Sequence, residues 1–217
     1  MKLYNYWRSS ASWRVRIGLH WKGLPFEYVP VHLVRDGGEQ FQPEHLARNP
    51  IAQVPVLELE PGAAAPIRFL AQSLAILEYL EELQPTPPLL PRSLPLRARA
   101  RELAELVNSG IQPMQNPRLL NQIKGEYHAD ERAFARAYIE RGLGAFATLL
   151  PETAGRYCVG DEVSFADVCL VPQLNAARRF GVALDGVLQP LVEIEARLAA
   201  LPAFQRAHAD AQPDAQP

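Results

Sequence analysis

The stretch Gln84-Pro-Thr-Pro-Pro-Leu-Leu-Pro-Arg-Ser-Leu-Pro95 decides how this chain is organised. Proline fixes φ and lacks a backbone N–H, so the run neither continues a helix nor lies inside a sheet. It reads as a linker over residues 84–95. Ahead of it, residues 1–83 mix short apolar runs with helical periodicity. Behind it, residues 96–217 carry helical spacing almost throughout.

Within the first part, Lys2–Tyr6 is short and aromatic, as a strand is. Residues 12–22 place Trp13, Ile17 and Trp21 at four-residue spacing, with Val15 and Leu19 on another side. A helix apolar on more than one side belongs between a sheet and a second covering element. Gly23 stands where a helix C-cap does, with Pro25 just beyond. Residues 26–32 then complete a βαβ unit. After a longer loop, Val54–Glu60 and Ile67–Leu70 read as a hairpin around Pro61-Gly62, and a helix runs over Ser73–Leu83. The simplest arrangement of β-α-β followed by β-β-α is a thioredoxin-like domain. Past the linker, residues 96–121, 130–150, 164–179 and 188–200 read as helices, the third opened by the capping box Ser164-Phe-Ala-Asp167. The tail from Asp210 is expected to fray. The fold class is therefore α/β plus all-α: a thioredoxin-like domain at 1–83 and an all-helical domain at 96–217.

Composition narrows the function classes. Of 217 residues, 48% are hydrophobic and 21% charged, an ordinary globular balance. The 22 Lys and Arg against 24 Asp and Glu leave a formal net charge of -2, which favours neither nucleic acid nor an anionic membrane. No run approaches the ~20 apolar residues of a membrane span, and the opening MKLYNYWRSS has no apolar core of a secretory signal. Cys158 and Cys169 form no C-x-x-C or zinc array, and His20, His32, His45, His128 and His208 have no metal-like spacing. A cytoplasmic protein without a metal is the expectation.

Arg8-Ser9-Ser10-Ala11-Ser12 joins the first strand to the first helix, where thioredoxin-like domains carry their redox cysteines. Here there is no cysteine. The free N–H groups and the helix dipole still favour an anion, and a serine hydroxyl there can donate to a thiolate brought in by a cofactor. The plainer alternative is that the serines only cap the helix. Val54-Pro55 opens the third strand, where a cis proline turns backbone groups toward a ligand. Gln72-Ser73 opens the next helix, suited to a carboxylate. Tyr4 and Tyr6 are competing hydroxyls.

Together these residues resemble the glutathione site of soluble glutathione transferases, and the match narrows to the zeta class, the maleylacetoacetate isomerase family. The family signature is similar to S-S-C-x-W-R-V-R-I-A-L; this chain has Ser9-Ser10-Ala11-Ser12-Trp13-Arg14-Val15-Arg16-Ile17-Gly18-Leu19. Asp36-Gly37-Gly38, Asn49-Pro50 with Gln53-Val54-Pro55, and Gln72-Ser73-Leu74-Ala75-Ile76 extend it. So do Gly110-Ile111-Gln112-Pro113, Gln115-Asn116, Gly160-Asp161-Glu162-Val163 and Val171-Pro172-Gln173. Two departures stand out: Ala11 replaces the usual cysteine, and Glu60–Pro66 looks like an insertion.

The resemblance implies glutathione as cofactor, with Ser9, Ser10 and Arg8 catalytic. It places Ser9, Ser10, Gln40, Val54, Gln72, Ser73 and Gln112 on glutathione, and Arg8, Arg118 and Arg179 on the carboxylates of an unsaturated diketo acid. The implied reaction is addition of the thiolate to the cis double bond of maleylacetoacetate, rotation, and expulsion to give the trans product, fumarylacetoacetate, in tyrosine and phenylalanine breakdown. A homodimer is implied as well. Maleylpyruvate as substrate, a general transferase acting on electrophiles such as α-haloacids, and a non-catalytic interaction module with the same fold remain open alternatives.

Overall fold

A computed structural model of the chain describes residues 1–60 and 66–216. The expected turn at Pro61-Gly62 and the interior of the Glu60–Pro66 insertion fall outside the described residues. The chain forms two compact units, Met1–Pro87 with Pro202–Pro217, and Pro88–Leu201.

The first unit holds a four-stranded sheet in the order β2-β1-β3-β4, made of β1 (Lys2–Asn5), β2 (Glu27–Pro30), β3 (Val56–Glu58) and β4 (Phe69–Ala71). β1 runs parallel to β2 and antiparallel to β3, and β3 is antiparallel to β4. The carboxyl ends of β1, β2 and β4 and the amino end of β3 therefore share one edge. α1 (Ser10–Trp21) crosses from β1 to β2; two 3-10 turns and α2 (Pro43–Leu46) lead to β3; α3 (Ser73–Leu83) follows β4. One face of the sheet packs Leu3 and Leu57 against Val15 and Leu19 of α1 and Ile76 and Leu80 of α3. The other gathers Tyr4, Tyr6, Val31, Val54 and Val56. At the far end of α1, the buried Lys22 ammonium meets Glu81 Oε2 at 2.5 Å and the Pro87 carbonyl at 2.6 Å, tying α1, α3 and the start of the linker together.

Every residue of α1 from Ser12 to Leu19 is buried, because α3 and α9 (Pro202–Ala207) both pack on it. The second cover that the sequence demanded thus comes from the C-terminal segment. This corrects two expectations. Residues 202–217 group with the first unit instead of the helical one, since Ala203, Phe204 and Ala207 are buried there. The tail past Asp210 is also held: the buried Gln212 side chain donates to the Arg206 and His208 carbonyls at 2.8 and 2.7 Å, and Asp214 accepts from Trp7 N–H at 3.2 Å and from the Tyr28 hydroxyl. Composition predicts fraying, but side-chain acceptors and apolar cover override it.

The second unit is helical: α4 (Leu94–Gly110), α5 (Pro117–Gly125), α6 (Glu131–Leu149), α7 (Phe165–Arg179) and α8 (Gln189–Ala199). No described helix is long and apolar enough to cross a membrane. The single helix expected over 96–121 is two, because Pro113 and Pro117 cannot donate to the preceding turn; a 3-10 turn at Gln112–Gln115 bridges them. α7 is buried on all sides from Phe165 to Leu174 and packs most extensively on α4. Its start is fixed by Asp167, fully buried, whose carboxylate accepts from Ser164 N–H and Oγ–H, both at 2.8 Å, and from Cys158 N–H at 2.9 Å. Burial nevertheless holds that carboxyl above the ordinary carboxylate range.

Replacing Asp167 with Ala strands two buried N–H groups, and each lost partner of this kind costs about 1–3 kcal/mol. Asp167→Ala is expected to lower the urea midpoint by the equivalent of about 3 kcal/mol, read by tryptophan fluorescence and circular dichroism together.

Candidate functional site at the carboxyl edge of the sheet

The shared edge of the sheet collects the polar residues singled out in the first part of the chain. Leaving β1, the backbone turns at Tyr6–Ser9, where Ser9 N–H donates to the Tyr6 carbonyl at 3.0 Å. Ser9 is then the N-cap of α1, its Oγ accepting from Ser12 N–H at 3.2 Å. A serine oxygen that accepts there keeps its own proton for donation outward. Ser10 opens the helix, partly exposed. Arg8 is exposed, its guanidinium 5.5 Å from the centroid of the Trp7 ring.

Antiparallel pairing of Tyr4 with Val56, and of Val56 with Ala71, carries Val54-Pro55 and Gln72-Ser73 to the same edge. The Val54-Pro55 peptide is cis. The carbonyl just before it, of Gln53, accepts from Asn49 Nδ2 at 2.9 Å and lies 3.0 Å from His45 Nε2. Burial lowers the pKa of His45, which suits a neutral ring donating from Nε2. Gln72 adopts φ 72°, the left-handed region that non-glycine residues avoid, directly before α3. Ser73 is buried, and its Oγ accepts from Arg14 Nη1 at 3.2 Å, linking α1 to the start of α3.

Gln40 reaches the edge from the loop after β2. It is buried and donates from Nε2 to the Leu33 carbonyl at 3.3 Å, while its Oε1 has no hydrogen-bond partner among the described residues. Gly38 makes room for it: at φ 105°, a Cβ on Gly38 would lie 2.5 Å from the Gln40 carboxamide. An unmet buried acceptor suits a ligand that brings an N–H donor.

The competing hydroxyls are placed differently. Tyr4 donates to Glu58 Oε2 at 2.8 Å beneath the Arg48 guanidinium, so its proton is committed to a carboxylate. Tyr6 is buried against Trp7 and His32.

Arg14, Arg16 and His45 brace this edge, and the sequence reading gave them no role there. Arg16, fully buried, donates to Asn5 Oδ1 at 2.9 Å, to the Tyr6, Trp7 and Ala207 carbonyls at 3.3, 2.8 and 3.1 Å, and so braces the loop before Ser9. Burial pulls its pKa down to about 10, leaving it charged at neutral pH. The available signal was Arg14 and Arg16 alternating with Trp13, Val15 and Ile17 on a helix with no solvent face. His45 carried no signal beyond its type.

Gln112, Arg118 and Arg179 belong to the second unit, whereas Ser9, Ser10, Gln40, Val54, Gln72 and Ser73 meet on the first. Gln112 opens the 3-10 turn, half-buried; Arg118 is exposed in the first turn of α5. Arg179 ends α7, exposed, 5.4 Å from the centroid of the Phe180 ring. Among the described residues no group of three His, Cys, Asp or Glu side chains is arranged to hold a metal.

Comparison with known proteins places this geometry in context. Residues 3–88 match the family described as Glutathione S-transferase, N-terminal domain, and residues 106–202 the Glutathione S-transferase, C-terminal domain. The chain is 48% identical to the maleylacetoacetate isomerase of Rattus norvegicus, over 98% of this chain and 94% of that protein. A crystal structure of maleylacetoacetate isomerase from Anaeromyxobacter dehalogenans, with glutathione bound in its active site, superposes with a TM-score of 0.89 at 51% identity, covering 99% of this chain and 97% of that one. The holo structure of a bacterial maleylpyruvate isomerase of the zeta class gives 0.91 at 41% identity over the whole of both chains. The chain belongs to the glutathione S-transferase family, in its zeta class of maleylacetoacetate isomerases.

Proposed function

We propose that the protein is a glutathione-dependent isomerase converting maleylacetoacetate to fumarylacetoacetate. The observation that carries this reading is Ser9 at the amino end of α1, its oxygen occupied by Ser12 N–H and its proton left to donate. Glutathione, when bound, supplies a soft thiol nucleophile for a double bond conjugated to carbonyls. A free thiol has a pKa near ~8.5, so only a few per cent is reactive at neutral pH. The protein's part is to hold the charged sulfur: Ser9 donates its hydroxyl proton toward it, and Ser10 with the N–H groups of the first turn adds the positive end of the helix.

The remaining assignments follow the same frame. Val54 backbone groups suit the cysteinyl amides. Gln72 and Ser73 suit the γ-glutamyl carboxylate, and Gln40 is assigned to the glycyl end, where its unmet Oε1 can accept from the glycyl amide N–H. Gln112 is assigned to the cofactor. Arg8, Arg118 and Arg179 are assigned to the substrate carboxylates, since guanidinium groups bind them in bidentate fashion at permanent charge. The limits 1–83, 84–95 and 96–201 are proposed as functional divisions, with the C-terminal segment serving as cover for the first.

Isomerisation of maleylacetoacetate and of maleylpyruvate, with and without glutathione, tests the reading directly. Turnover that depends on glutathione supports it and ranks the two substrates; absence of turnover, with retention on immobilised glutathione, would leave a transferase. Neither activity nor retention would leave an assembly module. Within that assay Ser9→Ala should raise the pKa of the bound thiol and lower kcat about a hundredfold, the lower end of the ~2.7–4 kcal/mol lost with a comparable oxyanion donor. Folding should change by only about 1 kcal/mol, the cost of a helix cap. A Ser9→Ala enzyme with normal thiol pKa and full activity would transfer the role to Ser10 or to the helix dipole.

A cytosolic homodimer completes the proposal. Cys158 and Cys169 are buried and joined in no disulfide, which suits a reducing compartment. The contact is assigned to the helix after the linker, where Leu94 is 78% exposed, and to the first unit, where Phe41, Ile51 and Ile67 are 47%, 57% and 55% exposed. Light scattering at micromolar concentration should give twice the chain mass of 24.2 kDa; a monomer would refute it.

A further inference from the structure

The loop that delivers Ser9 is held from both sides of one residue. Trp7 N–H donates to Asp214 Oδ2 at 3.2 Å, and the Trp7 carbonyl accepts from Arg16 Nη2 at 2.8 Å. An anion therefore grips one peptide and a cation the next. Arg16 also donates to the Tyr6 carbonyl, which in turn accepts from Ser9 N–H. The other oxygen of Asp214 accepts from the Tyr28 hydroxyl, so the carboxylate joins the loop to β2 as well. Asp214 reaches this place because its segment is anchored upstream: Arg16 Nε donates to the Ala207 carbonyl, Gln212 closes a turn over Arg206 and His208, and the His208 ring lies edge-on to Trp13, 4.8 Å between centroids.

We propose that Asp214, far from the active-site motif in sequence, is a positioning residue for the reaction: by fixing the Trp7 peptide it sets where the Ser9 hydroxyl points. The inference rests on the reading of Ser9 as the donor to the thiol. A carboxylate is suited to the task because a bond from an N–H to a charged acceptor is roughly twice as strong as one to a neutral acceptor. Tyr28 remains a donor throughout, since burial and the bond to Asp214 push its ionisation up. Burial works against the Arg16 charge, and the Asp214 carboxylate across the loop favours it.

The test measures the bound-thiol pKa by the ultraviolet absorbance of the glutathione thiolate, together with kcat and KM for glutathione, in Ser9→Ala, Asp214→Ala, Asp214→Asn and the double variant. A displaced donor costs on the order of ten- to a hundredfold in rate. Asp214→Ala should raise the thiol pKa and lower kcat by that order, with KM for glutathione little changed, because the Val54, Gln72 and Ser73 contacts stay. Asp214→Asn keeps an acceptor without the charge and should recover part of both. In the Ser9→Ala background, Asp214→Ala should add no further rise, since both act through one hydroxyl. If Ser9→Ala raises the thiol pKa and a folded Asp214→Ala does not, this proposal falls while the Ser9 reading stands. If Ser9→Ala itself changes nothing, both fall. Should Asp214→Ala fail to fold, Asp214→Asn decides: an unchanged thiol pKa there overturns the proposal.

Discussion

A buried guanidinium organises the functional edge of this protein. Arg16 projects from the middle of α1 and satisfies its N–H groups on Asn5, on the Tyr6 and Trp7 carbonyls, and on Ala207. Burying an isolated charge is costly, and the cost is met only when the surrounding acceptors are already in place. Those acceptors are the end of β1, the loop after it and the C-terminal segment. The charge therefore works as a specification: the loop must pass at one distance from α1, and the segment 202–216 must lie on the helix's far side. Arg14, one turn-face away, makes the same kind of demand on Ser73 at the start of α3. Two arginines of one helix thus fix the two helix N-termini that share the edge.

The chemistry proposed for that edge depends on small displacements. A hydroxyl stabilises a thiolate only within hydrogen-bond reach, and the loop carrying Ser9 has no regular secondary structure to hold it. Its rigidity comes from side chains: Arg16 and Asp214 about Trp7, and Ser12 Oγ beneath Tyr6 N–H at 3.4 Å. The opposite wall is treated alike, with His45 and Asn49 on the Gln53 carbonyl before the cis peptide. Loops placed by buried polar groups in this way combine an exposed functional tip with a scaffold's precision.

Much of this was legible in the sequence. The proline run separates mixed from helical halves, and the apolar faces of residues 12–22 call for cover on two sides. The polar residues at 9, 10, 40, 54, 72 and 73 come together because strand order brings loop ends to one edge, which a βαβ-ββα reading already implies. What periodicity could not supply was long-range. Nothing local tells that residues 202–216 return to α1, since Ala, Gln and Pro read as a loose tail until their buried partners are known. The break of 96–121 at Gly110 was written in Pro113 and Pro117 but lost in a strong helical pattern. Tyr4 was a fair competitor to the serines on type and position; only its bond to Glu58 sets it aside.

Hydrogen exchange of individual amides in an Arg16→Gln protein tests most directly whether this guanidinium holds the loop. Protection at Ser9 and Ser12 N–H should fall relative to the parent protein, and so should protection at Trp7 N–H. The Ile76 and Leu80 amides in the interior of α3 should exchange as before. Unchanged protection at these three amides, or a loss spread evenly through the first unit, would contradict the account.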